Sequence, residues 1–446
     1  MQRLFYALIL TILLSLPGVS TGQQSESILL PEHRAELIRD VSEVLTEVYV
    51  FPDVAEEMVK LINRNSDSGK YDQFATVAEF AAQLTEDLQS ISHDLHLHVG
   101  ASKAPPRNDT GEQLSEEQMA ARRLARAKAG NFGFKRLELL PGNIGYIDLR
   151  EFISAEIGGP TAVAAMNFLA NSSAVIFDLR RNGGGDPSMI QLISSYLFKE
   201  PEHLNSFYVR RSDSIEQYWT QASVQGPKMV DTPVYILTSP NTFSAAEEFT
   251  YNLKNMERAT VVGETTGGGA HPVDFVSSDL GGGHYARISI PFGRAINPIT
   301  GTNWEGTGVT PHIETPADQA LEVAQLDILK KLWESSGNEN QKFEIEWAMD
   351  ELEFNLNGHE AQITGAAFYT GTYGPRKISL EGGKLYYQRG KGQRLELRPM
   401  KTADRFHVGD LDFFRIQFVR DDSGKVVELT GLYNSGRVDG NRRSEG

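Results

Sequence analysis

Two runs of apolar residues constrain this chain most. Ala174–Leu179 and Pro233–Thr238 are almost free of polar side chains, and a strand of that kind has to be covered on both faces. Helical spacing follows each of them, in Met189–Phe198 and in Ser244–Met256. Ile144–Leu149 and Thr260–Gly263 read as further short strands, and Thr161–Leu169 and Ala317–Trp333 as helices. This alternation predicts an α/β (α+β) core with a parallel or mixed sheet over residues 131–335.

The flanks differ in texture. Ala35, Leu37, Ile38, Val41, Val44 and Leu45 recur at helical spacing, as do Val77, Phe80, Ala81, Leu84 and Leu88. Residues 30–130 therefore read as a helical N-terminal subdomain, closing in a polar stretch with a charged helix at Glu116–Ala129. Beyond residue 350 the pattern is β only. Lys377–Gln388 is a hairpin around Gly382-Gly383, and Arg394–Arg398, Phe414–Phe418 and Val426–Leu432 largely alternate apolar and polar residues. Residues 352–440 are predicted to form a small antiparallel β domain, with a polar tail expected to fray. A chain of 446 residues has room for several such units.

The net charge of −16, with no basic stripe, speaks against a nucleic-acid partner. No cysteine is present, which excludes thiol catalysis, disulfides and a cysteine-held zinc. Arg3, the apolar run Leu4–Leu16 and the small residues Ser20–Gly22 predict an export signal over residues 1–22, and so a periplasmic or extracellular protein. The run is short for a membrane span, so stable insertion is not expected.

Four segments offer chemistry. Ser244 opens a helix just after a buried strand, where a hydroxyl is exposed and the next N–H, that of Ala245, points at an incoming anion. Ser244 with Glu247 equally fits the S-x-x-E capping box, a purely structural device. Asp178–Asp186 carries three successive glycines, a tight turn or a source of an oxyanion donor such as Gly183. Ser92–His98 holds His93, His96 and His98, which suit a general base or a solvated turn; with no second cluster at ligand spacing, no metal is expected. Read as extended chain, this segment puts His96 and His98 on one face, so periodicity cannot separate them. Glu305 sits between glycines in Asn303–Pro311, presented to support a histidine or simply salt-bridged in a loop.

Taken in order, these segments resemble the tricorn and tail-specific (C-terminal processing) serine protease family. The resemblance rests on Asp94-Leu-His96, Asp178–Gly185, Thr242–Glu247, Val262–Gly269 and Trp304–Pro311, and spans roughly residues 30–330. It implies Ser244 as nucleophile, His96 as base, Glu305 as support, Gly183 and Ala245 as oxyanion donors, a peptide or protein substrate, and no cofactor. The tail-specific branch uses a lysine after the Val-Gly-Glu strand. Thr265–His271 has none, so the histidine branch is implied, which includes the interphotoreceptor retinoid-binding modules. Leu95 and His312 depart from the family pattern. The segment between Gly100 and Phe132 is too short for an inserted PDZ domain. The alternatives are a silent module that binds hydrophobic ligands or peptides on the same fold, and hydrolysis of esters. With an ordinary histidine as base, the rate would rise through a pKa of about 6.5.

Overall fold

The computed structural model describes residues 28–103, 114–357 and 365–444. The export signal expected over residues 1–22 and the loop at 104–111 lie outside the described residues.

The central sheet has six strands, in spatial order Ile313–Glu314, Ala259–Gly263, Val234–Thr238, Ala174–Asp178, Ile144–Leu149 and Phe134–Leu140. Neighbours are parallel except for the hairpin at the last edge. Every residue of Ile144–Leu149, Ala174–Asp178 and Val234–Thr238 is buried. The two-residue period of a strand explains how. Val175, Phe177 and Ile236 face one layer with Met166, Ile190 and Phe249. Ala174, Ile176, Tyr235 and Leu237 face the other with Ala324, Leu329 and Ile345. Each valine, leucine, isoleucine, phenylalanine or methionine among them contributes about 1.5–3 kcal/mol by leaving water.

The N-terminal helices Pro31–Val48, Pro52–Asp67 and Val77–Ser92 do not close a core alone. They pack on a three-stranded antiparallel sheet of His98–Ala101, His284–Pro291 and Val273–Gly281. Leu37, Val41, Phe80 and Leu84 share one core with Ala286, Ile288 and Ile290. A third sheet, Gly293–Ile296, His203–Val209 and Ser214–Trp219, meets the first of these helices through Arg210, which donates to Thr46 O at 2.8 Å.

The β region is an eight-stranded antiparallel meander from Gly371–Tyr373 to Val438–Arg442. The Gly382–Gly383 turn joins Glu381 to its partner Lys384 as the sequence predicts. The polar tail does not fray in its described part. Arg443 bridges Tyr373, and Ser444 N–H donates to Thr372 O at 2.8 Å, so the last strand returns to the first and nearly closes a barrel. The helix Glu339–Asn357 ties this barrel to the core. Its Ile345 and Ala348 pack beside the central sheet. The buried Arg415 of the barrel donates to Trp347 O at 2.7 Å and pairs with Asp350 and Glu351.

Candidate active site

Three adjacent parallel strands, Ala174–Asp178, Val234–Thr238 and Ala259–Gly263, end on the same edge of the sheet. In parallel α/β sheets the loops beyond that edge build the ligand crevice. Here they are laced together. Thr242 Oγ1 donates to Leu179 O at 2.8 Å, Phe243 N–H to Asn182 O at 3.0 Å, and Gly267 N–H to Thr242 O at 3.0 Å.

Ser244 stands where the second loop turns into the helix Ala245–Asn255, with φ 55° and ψ −124°. A non-glycine residue held there stores about 1–3 kcal/mol of strain. A capping serine does not need it, since N-caps favour the extended region. Its hydroxyl makes no cap bond. Only the reverse half of the box is formed: Ser244 N–H donates to Glu247 Oε2 at 3.0 Å.

Glu247 does more than cap. Its buried carboxylate also accepts from Gly268 N–H at 2.6 Å, from Gly269 N–H at 2.8 Å and from the Thr266 hydroxyl. It pins the loop after Gly263 to the serine turn. Burial pushes its carboxyl above the ordinary range, against those donors. Glu247→Gln would turn a buried NH2 towards N–H donors. It is expected to destabilise the protein by about 1–3 kcal/mol, measured as a lower midpoint in urea at unchanged slope.

Gly184 explains how the glycine turn approaches the serine. Its φ is +110°, and a Cβ there would come within 2.7 Å of Ser244 Cβ and 3.0 Å of Ala245 N. Gly183 and Ala245 line the same cavity as Ser244, with a volume of about 870 Å3. Phe207, Tyr218, Phe275, Phe292 and Trp304 give it aromatic walls. Glu248, one helical turn on from Ser244, is buried at that cavity and pushed up to about 8 by loss of solvent.

His96 lines this cavity too, its ring 4.6 Å from that of Phe243. Gly269 makes room for the pair: a Cβ there would meet the Phe243 ring at 2.2 Å and His96 Cε1 at 2.6 Å. His93 and His98 are exposed. The segment is not extended, as the sequence reading assumed. Leu95 and His96 form a turn, pinned by His96 N–H donating to Asp94 Oδ1 at 3.0 Å, and the strand starts only at His98. The turn is what parts His96 from His98.

Glu305 arrives from the loop before the edge strand. Its Oε2 accepts from Ala270 N–H at 2.5 Å and lies 3.6 Å from His271 Nδ1. Its Oε1 is buried with no hydrogen-bond partner, and so is His96 Nδ1. One ring nitrogen of His96 and one oxygen each of Asp94 and Glu305 lie within 4.8 Å of one another. That spacing would also suit a shared cation; His271 Nδ1 stands beside the group, bonded to Asp94 Oδ2 at 2.6 Å. Burial pushes the His96 imidazolium down to about 4, with Asp94 opposing and His271 adding to the fall. Burial, then the Asp94 charge, pushes Glu305 up to about 7.

The family profile described as peptidase family S41 matches residues 143–315. A second, the N-terminal domain of peptidase S41 in eukaryotic IRBP, matches residues 25–128. Residues 143–315 are a peptidase family S41 domain, and residues 25–128 its N-terminal companion. The resemblance read from the five segments is thereby borne out, and with the family comes the activity of a peptidase. Among solved structures, a lipoprotein from Streptococcus agalactiae is 16% identical over 72% of this chain and 100% of its own, with a TM-score of 0.44. The photosystem II D1 C-terminal processing protease is 15% identical over 64% of this chain and 94% of its own, at 0.38. Mature CPAF is 12% identical over 69% and 99%, at 0.47.

The site spans both matched units. Ser244, Gly183, Ala245 and Glu305 lie in the S41 domain proper, and Asp94 and His96 in its N-terminal companion. All five residues singled out in the sequence, the serine, the histidine, the glutamate and the two peptide donors, converge on this one region. The sequence reading missed His271, noted only as ending a stretch without lysine. It also took Glu247 for a cap and passed over Glu248. No local pattern marks a histidine whose hydrogen-bond partner, Asp94, is 177 residues away.

Proposed function

We propose that this S41 peptidase is of the serine type, with Ser244 as nucleophile, His96 as general base and Glu305 as the carboxylate that orients it. The observation that carries this reading is the strained Ser244, whose hydroxyl makes no cap bond and opens on the cavity that His96 lines. Ser244 Oγ attacks the scissile carbonyl as His96 takes its proton. The two buried atoms without partners, His96 Nδ1 and Glu305 Oε1, pair as the imidazolium forms. The N–H groups of Gly183 and Ala245 stabilise the oxyanion. The proton on His96 then passes to the leaving amine, and water releases the acyl group by the reverse path. The aromatic walls suit an apolar substrate side chain. The run Leu4–Leu16 supports export to the periplasm or the outside.

The test is turnover of unfolded proteins and of an internally quenched peptide library by the full chain. Amide cleavage enriched at apolar residues is expected. Binding of hydrophobic ligands or peptides with no cleavage would favour the silent module instead.

The pH profile carries a separate expectation. The mechanism needs His96 neutral and Glu305 ionised. With the imidazole pushed down to about 4, the base is ready well below neutrality, and the carboxylate at about 7 limits the rate. kcat/KM is therefore expected to rise with pH through an apparent value near 7 that belongs to the pair. This replaces the ordinary histidine titration assumed from sequence. In Glu305→Gln the limb near 7 should vanish. A limb unchanged in that variant would assign the titration elsewhere.

A further inference from the structure

We infer that His271 is a positioning residue for Glu305: it holds one carboxylate oxygen so that the other is presented to His96. The inference rests on the serine reading above and adds a residue to it. His271 is buried, and its Nδ1 stands between two carboxylates from distant segments, 2.6 Å from Asp94 Oδ2 and 3.6 Å from Glu305 Oε2. The neighbouring peptide, Ala270 N–H, donates to the same Oε2 at 2.5 Å. Ala270 N–H thus bonds one side of Glu305 and the His271 ring stands against that side, while Oε1 is left buried and unpartnered, as is Nδ1 of His96.

The ring of His271 is itself held. Phe51 meets it edge-on, with centroids 5.5 Å apart at 67°. Asp94 is fixed in turn by the Tyr49 hydroxyl, which donates to Oδ2 at 3.4 Å. Tyr49 and Phe51 lie in the turn between the first two N-terminal helices, so the helical unit reaches the site through His271.

Charge makes the placement necessary. Asp94 and Glu305 face each other in a buried site, and Glu247 adds to the negative field on Glu305. Burial alone would lower His271. The Asp94 hydrogen bond and charge, with Glu305, overturn this and leave it raised, against a small opposing effect of Arg294. The ring therefore sits between two carboxylates that would otherwise repel, and they favour its protonated form. Without it Glu305 would turn away or take up a proton, and His96 would lose its partner.

Two variants separate position from charge. His271→Asn keeps a donor near Nδ1 without the charge, and His271→Phe keeps the bulk with neither. For His271→Phe we expect kcat to fall about 10²-fold with KM little changed, the cost of displacing a reacting group by roughly 1 Å. In both variants the acid limb of kcat/KM should move to higher pH, because Glu305 loses a positive neighbour. His271→Asn should recover most of kcat above that limb. Labelling of Ser244 by a fluorophosphonate is followed in parallel, with thermal melts to check folding. If wild type is labelled and His271→Phe folds with unchanged kcat and limb, the inference is overturned. An unmoved limb in His271→Asn overturns it equally should the Phe variant fail to fold. If wild type itself is neither labelled nor active, the serine reading fails instead.

Discussion

Ser244→Ala is expected to fold like wild type and to lose hydrolysis by a factor on the order of 10⁶ in kcat, the scale on which serine hydrolases depend on their nucleophile. The structure separates the two effects. A capping serine costs about 1 kcal/mol to remove, but this hydroxyl makes no cap bond. The bonds that hold the turn come from the Ser244 backbone and Glu247, and alanine keeps them. Alanine also tolerates φ 55° no worse than serine does. The melting temperature should therefore stay within a degree or two while turnover disappears. A folded variant with undiminished cleavage would remove Ser244 from the mechanism.

His96→Ala should fall nearly as far. The members of such a unit are not additive, so Ser244→Ala/His96→Ala is expected to be no worse than either alone. The structure sharpens the comparison with its neighbours. His93 ends a helix in the left-handed region and His98 begins an edge strand, and both are exposed. His93→Ala and His98→Ala are expected to keep kcat within a few-fold. Parallel kinetics on one quenched peptide decide the matter. A dead His98→Ala beside an active His96→Ala would reassign the base while leaving the serine in place.

What could be read in the sequence, and what could not, follows from the range of the interactions. Ala174–Asp178 and Val234–Thr238 were legible because burial on both faces leaves no polar residue to blur the run. The Gly382–Gly383 hairpin was legible because its chemistry is local. Val273–Gly281 escaped because half-exposed strands with residues such as Asp274, Ser277 and Asp279 show no continuous run, although this strand and its partner complete the N-terminal core. The site divides the same way. Ser244, Gly183 and Ala245 follow from strand–turn–helix grammar. His96 was chosen by resemblance; the turn at Leu95–His96 that singles it out depends on the Asp94 side chain folding back on the backbone. His271 was invisible because its meaning lies in Asp94 and Glu305, which only the fold brings to it. Glu247 was half read: the capping spacing is real, but three of its four donors come from the loop after Gly263.

The central claim is that Ser244 is an activated nucleophile, and one measurement addresses it most directly. The purified full chain is treated with a fluorophosphonate, its intact mass recorded, and the adduct placed by peptide mapping. The account predicts one adduct per chain, on Ser244, formed slowly or not at all in His96→Ala and blocked by a cleavable peptide. No adduct on a folded chain that cleaves peptides, or an adduct on another serine, would contradict it.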